Sequence, residues 1–329
     1  VFRCYQNYQD SHFGSTRVEK TCPYLKSCRI DVICFQIIMC MSFIFISDDP
    51  ESKYKLIILN NRDESVDRPT LELDWRNGVL SGTDIKDPVK GTWFGTNTIG
   101  SVGILLSITE PLTAKKFHHG PSRGAIAKEF LESARPCEEF FSELCEKAHL
   151  YNGFQFLGLQ RNEHNCYEMT SLSNMLVDSV EPRKWPAGTY VWGNSPPDKP
   201  FRKVVEGQKV FEKFIASLDP ETDVDHLISR LMEIATDETE YSPDPQIAVQ
   251  TEKPLEWYRH YCSVMVKFPL DMFRFGTRSH SILIVDREDH ATFYENRMAS
   301  PPQNGQPAQW LDKTITFKLD PIGIQSQTR

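Results

Sequence analysis

Two apolar runs of strand length, Met41-Ser42-Phe43-Ile44-Phe45-Ile46 and Tyr54-Lys55-Leu56-Ile57-Ile58-Leu59, flank the turn signal Asp48-Asp49-Pro50 and predict a β-hairpin. The second run ends in the polar block Asn60-Asn61-Arg62-Asp63-Glu64, which antiparallel pairing would bring beside Cys40. Gly91-Thr92-Trp93-Phe94-Gly95 reads as a short aromatic strand and Asn97-Thr98-Ile99-Gly100 as a turn. The continuous run Val102-Gly103-Ile104-Leu105-Leu106 then predicts a strand covered on both faces.

The period changes after Arg123-Gly124. Ile126, Phe130 and Ala134 share one helical face, Pro136 interrupts, and Phe140, Phe141, Leu144 and Ala148 mark a second helix. Phe154 to Leu159, a polar turn at Arg161 to Asn165 and Cys166 to Met169 form a second hairpin pattern. A strand from Gly188 ends in the turn Gly193-Asn194-Ser195-Pro196, followed by a helix carrying Val210, Phe211, Phe214, Ile215 and Leu218 and stopped by Asp219-Pro220. Val224, Leu227, Ile228, Leu231 and Ile234 form the cleanest helical stripe, behind a capping Thr222 or Asp223. Beyond the breaker Ser242-Pro243-Asp244-Pro245, the segments Cys262 to Phe268, Phe275 to Arg278, Ser281 to Val285 and Ala291 to Tyr294 read as a β-meander. Strands at both ends, helices between them and no Gly/Ser linker or repeat predict one α+β unit.

The apolar stretch from Val32 to Ile46 admits a secretory or membrane-anchor reading, but it falls short of the roughly 18 apolar residues of a spanning helix. Its β-branched and aromatic content after Cys40 favours a buried strand. Residues 1–38 show no period and are expected to be a poorly ordered extension; the dipeptide Cys22-Pro23 there is similar to a haem-regulatory motif but reads as loop. A net charge of -8 without a Lys/Arg run argues against nucleic acid as a partner. Nine cysteines without a Cys-x-x-Cys pair argue for a reducing compartment and against a structural metal site. His118-His119 beside Gly120-Pro121 reads as a solvated loop.

The candidate chemistry gathers at the first hairpin. If Met39 were removed, Cys40 would carry both a thiol and an α-amine, whose pKa of about 7.7 to 8.0 suits a general base. Arg62, Asp63 and Glu64 at a strand end must meet solvent or one another, as a surface turn laced by ion pairs or as a site. Arg278 and Asn194 each end a predicted strand beside small residues, where turns and functional groups both occur.

Met39-Cys40, Asn61-Arg62-Asp63-Glu64 with Arg68-Pro69, Gly91-Thr92-Trp93-Phe94-Gly95, His149-Leu150-Tyr151-Asn152-Gly153-Phe154, Gly188-Thr189-Tyr190, Pro243-Asp244-Pro245 and Gly276-Thr277-Arg278 together resemble the NRDE family, also called the Transport and Golgi organisation 2 homologue family. The resemblance covers Cys40 to about Leu319 and sets a domain over 39–320 with a short tail over 321–329; Leu106-Ser107 stands where the family has Thr-Asn. The family is in turn similar to N-terminal nucleophile hydrolases, which implies a four-layer αββα sandwich. It implies Cys40 as nucleophile, Asp63 orienting its amine, Arg62 and Arg278 favouring the thiolate, and Asn97 and Asn194 as oxyanion donors. It also implies a cytoplasmic haem chaperone associated with mitochondria or Golgi, with a role in lipid homeostasis. Haem or another amphipathic small molecule would then sit against Cys40, Arg62, Trp93, Phe94 and Arg278, and membrane-associated haem donors or acceptors would be its partners. The alternative is a cysteine amidohydrolase acting on an acylated small molecule.

Overall fold

The computed structural model describes residues 39–110, 120–219, 221–303 and 305–323. The expectations for residues 1–38, including Cys22-Pro23, and for His118-His119 lie outside the described residues, as does most of the tail.

The predicted hairpin forms from β1 (Met41–Ile46) and β2 (Tyr54–Ser65), paired antiparallel with Met41 opposite Asn61. β2 continues through the polar block, which thus belongs to the strand and is buried almost throughout. Two further long strands, β11 (Phe275–Asp286) and β12 (His290–Ser300), extend this sheet, with β10 (Gly188–Trp192) and β13 (Gln309–Lys318) at its edges. The two apolar runs around Arg278 are one strand, since a bulge between Thr277 and Ser279 absorbs Arg278 without ending it.

The second sheet runs, in spatial order, through β3 (Thr70–Arg76), β4 (Val79–Asp84), β5 (Phe94–Asn97), β6 (Val102–Ser107), β7 (Phe154–Arg161), β8 (Tyr167–Ser173) and β9 (Arg183–Trp185). As its unbroken apolar run requires, β6 is buried at every position. Helices α1 (Gly124–Ser133) and α2 (Cys137–Lys147) cover the outer face of this sheet through Ile126, Phe130, Phe140 and Phe141. Over the outer face of the first sheet lie α3 (Arg202–Ala216), α4 (Val224–Ala235), α5 (Pro245–Thr251) and α6 (Leu255–Tyr258). Asp223 caps α4, its carboxylate accepting from His226 N–H at 2.7 Å.

The result is an α+β sandwich of helices, two face-to-face antiparallel sheets and helices, with one apolar core between the sheets and one under each helical layer. Two elements differ from expectation. Cys262 to Phe268 is irregular chain that follows a 3-10 turn at Arg259–Tyr261, joined to the sheet by a bridge from Lys267 to Gly276 and by the Asn61 amide donating to the Val264 carbonyl at 3.1 Å. Its apolar residues face the helical core instead of extending a strand. Pro245, expected as a breaker, opens α5 at its first turn, where a missing N–H costs nothing, with Asp244 as cap.

Candidate functional site

Strand alternation decides what the first hairpin presents. Cys40, Ile44, Leu56 and Ile58 face the core between the sheets, whereas Met39, Met41, Ile57 and Leu59 face the helices. Continued along β2, the same period sends Arg62 and Glu64 toward the second sheet and Asn61 and Asp63 under the helices. The tetrapeptide Asn61-Arg62-Asp63-Glu64 therefore serves two places.

The first is a cleft of about 300 Å³ where one end of the first sheet meets the second, lined by Cys40, Arg62, Glu64, Arg68, Asp84, Trp93, Ser107, Arg123 and the backbone around Gly91 and Gly124. The Arg62 guanidinium lies 4.0 Å from the centre of the Trp93 ring, a cation–π contact. It reaches Asp84 at 3.3 Å and Glu64 at 3.9 Å. Arg68 pairs with the same Asp84 carboxylate and lies 3.6 Å from Glu64. Arg123 enters from the head of α1, donating to the Gly153 carbonyl at 2.7 Å. Burial pulls the pKa of Arg62 and Arg123 down, opposed by nearby carboxylates.

Cys40 is nearly fully buried, its Sγ 3.8 Å from the Asp63 carbonyl. Burial, reinforced by the negative charge of Asp63, pushes its thiol up to about 12 against a weaker opposing pull from Arg62. In this state Cys40 is a thiol at neutral pH.

The second place is a buried polar group behind Cys40. Thr277 donates to one Asp63 oxygen at 2.6 Å, while the other oxygen has no hydrogen-bond partner among the described residues. Burial raises the Asp63 carboxyl to about 7, with Lys203 and Thr277 pulling the other way. Lys203, wholly buried in the first turn of α3, donates to the carbonyls of Met39 at 3.3 Å and Ser263 at 3.1 Å. Its pKa is lowered by burial and supported by the Asp63 charge.

The remaining expected residues fall outside the cleft lining. Asn97 donates to the Leu131 carbonyl at 3.0 Å and accepts from Ser101 N–H at 2.9 Å, fastening the β5–β6 turn to the end of α1. Asn194, in the turn after β10, donates to the Ser107 carbonyl at 2.5 Å. Phe94 packs on Phe293 in the inter-sheet core. Arg278 donates to the carbonyls of Ser65 at 3.2 Å and of Arg68, so it holds the loop that carries Arg68. Burial lowers its pKa to about 10.

Arg123, Asp84 and Lys203 were not singled out by sequence pattern. Arg123 precedes a helical stripe at the position of a helix start, the one available signal. Lys203 carries none, because a lysine on an amphipathic helix reads as solvent-facing.

Fold and site together define an α+β sandwich protein with a cysteine–arginine cleft between its sheets. The chain belongs to the Transport and Golgi organisation 2 family, whose profile matches residues 39–300. It is 29% identical over 295 residues to the Transport and Golgi organization protein 2 homolog of Bos taurus, covering 85% of this chain and 99% of that protein. The Mus musculus homolog is 28% identical over 288 residues, with 85% of this chain and 99% of that protein covered. Transport and Golgi organization protein 2 of Drosophila melanogaster is 27% identical over 280 residues, with 82% and 95% covered. Among the described residues no helix is long and apolar enough to cross a membrane.

Proposed function

We propose that the chain is a carrier that holds the polar edge of an amphipathic, carboxylate-bearing ligand in the Cys40 cleft, and that the ligand is haem, taken up from haem-rich compartments and passed between membrane-associated donors and acceptors. The cytoplasm, with mitochondrial or Golgi association, and a role in lipid homeostasis belong to the same reading. The observation that supports it is the lining of the cleft by a thiol, three guanidiniums and the Trp93 ring. A propionate asks for charge-assisted donors and a ring for an apolar edge. At about 300 Å³ the cleft lies at the low end of small-molecule pockets, so it would take the propionate edge and leave the macrocycle at its mouth. Cys40 would reach iron only as thiolate, and a bound cation lowers the pKa of its own ligand. Haem titrated into the protein should give a saturable Soret shift that changes position in Cys40→Ala; absence of any shift in the unsubstituted protein would sink this reading.

A second reading is favoured by the orphaned oxygen of Asp63. A chain beginning at Cys40 would carry its α-amine where the Met39 carbonyl now meets Lys203, whose charge also acts on this carboxylate, in the hydrolase-like arrangement of an N-terminal nucleophile cysteine amidohydrolase. The amine would take the thiol proton, sulfur would attack the acyl carbon, and the proton would leave with the amine product before water releases the acid. Protein starting at Cys40 should then turn over an amide panel that protein starting at Met39 leaves intact. No turnover by either would exclude it.

A further inference from the structure

Three guanidiniums face the cleft, and their surroundings are not equivalent. Arg62 and Arg68 share Asp84 and Glu64, two cations against two carboxylates in one closed network. Arg123 has no carboxylate within 4.0 Å among the described residues, and it donates instead to the neutral carbonyl of Gly153. Glu110, the first of the charges acting on Arg123, sends one oxygen to Gly153 N–H at 3.2 Å instead of to the guanidinium. It thereby braces the residue that Arg123 leans on. Glu64 acts on Arg123 only from further away, and Arg68 repels it.

A guanidinium has five N–H donors, and one spent on a carbonyl leaves an edge for a planar anion. An incoming anion at Arg62 or Arg68 would have to displace Asp84 or Glu64 and leave a buried carboxylate uncompensated. At Arg123 it displaces no charge. The floor there is bare backbone, because a Cβ on Gly91 would lie 2.4 Å from the Gly124 carbonyl carbon. Gly124 and Ser122 add small, open neighbours to the same wall.

We propose that Arg123 is the residue that anchors the anionic group of the cleft's ligand, that this group is a carboxylate, and that Arg62 and Arg68 form the internal scaffold of the cleft. The proposal rests on the cleft being a ligand site, as in the carrier reading, but not on the ligand being haem. Cys40 lines the same cleft and reports on it.

The test compares alkylation of Cys40 in the full chain by iodoacetate, which carries a carboxylate, and by neutral iodoacetamide, followed on the Cys40 peptide by mass spectrometry. The iodoacetate-to-iodoacetamide rate ratio should fall about tenfold or more in Arg123→Gln, the loss expected for one charge-assisted hydrogen bond, and Arg123→Lys should retain most of it. A merely structural role would change both rates together. An unchanged ratio in Arg123→Gln overturns the proposal. Should that variant fail to fold, acetate should protect Cys40 of the unsubstituted protein from iodoacetamide. Protection by inorganic phosphate and not by acetate overturns the carboxylate assignment. Haem and its dimethyl ester separate the two readings. A ratio that depends on Arg123 in a protein that ignores haem refutes haem and leaves the anchor standing. Haem binding equal in Arg123→Gln and the unsubstituted chain, with an unchanged ratio, refutes the anchor alone.

Discussion

Asp63 keeps its proton to about pH 7 in the folded chain because burial outweighs the help of Lys203 and Thr277. An unfolded aspartate gives up that proton near pH 3.9. Between these values the folded state binds the extra proton, so the stability this carboxyl contributes is full below about pH 4 and is lost as the pH rises toward 7. Asp63→Asn cannot titrate. Its stability relative to the unsubstituted protein should therefore increase from about pH 4 to about pH 7, read from urea midpoints at several pH values. A difference that stays constant across that window would mean that Asp63 is already ionised in the fold. The same proton matters to Cys40, since the ionised carboxylate is the largest charge effect raising its thiol.

At the scale of elements, the site depends on how closely α1 approaches the loop before β5. Gly91 and Gly124 meet backbone to backbone, with Thr92 N–H donating to the Gly124 carbonyl at 3.2 Å. A methyl at Gly91 cannot be absorbed by side-chain movement, because all three of its nearest neighbours are Gly124 backbone atoms. Gly91→Ala should cost about 1–3 kcal/mol, the usual range for overpacking. By moving the head of α1 it should also lower the iodoacetate preference of Cys40. Unchanged melting and an unchanged preference would show that α1 yields freely.

How much of this could be read from the sequence follows from the same elements. The hairpin, β6 and the stripes of α1, α2 and α4 were legible because each repeats one short period. The partition of the polar block is contained in strand alternation but needs the length of β2 to show itself. Once β2 is known to run on to Ser65, Arg62 and Asp63 must point to opposite sides. The exposed alternation of β13 and the short α5 and α6 were missed for want of a continuous apolar face. Arg68, Asp84 and Arg123 come together only through tertiary pairing, which no local pattern encodes.

The whole molecule has a second polar cluster at the other end of β2. Lys55 is 1% exposed and Arg161 2%, and both pair with Asp289, which is 20% exposed. Arg161 also donates to the carbonyls of Ile99 at 2.9 Å and Asp320 at 2.6 Å. Asn165 donates to both Asp289 oxygens at 3.1 Å. The cluster thus ties β2 and the β11–β12 turn of one sheet to β7, the β7–β8 turn and the β5–β6 turn of the other. From Lys55 to Arg62 along an extended strand is roughly 23 Å, so this clasp and the Cys40 cleft sit at opposite ends of the sandwich. Two buried cations share one carboxylate here, which makes Asp289 the group the clasp cannot lose. Asp289→Asn keeps the left-handed backbone at φ 69°, which asparagine tolerates well, and so isolates the charge. Removing one partner of a buried pair costs about 3–5 kcal/mol, and the partial exposure of Asp289 places the expected loss near the lower figure. The iodoacetate preference of Cys40, measured well below the melting transition, should not change, since no charge near the cleft is altered. Adding Lys55→Met should recover part of the loss by removing one of the stranded cations. A cost below about 1 kcal/mol for Asp289→Asn, within the range of an exposed ion pair, would mean that packing between the sheets holds this end without the clasp.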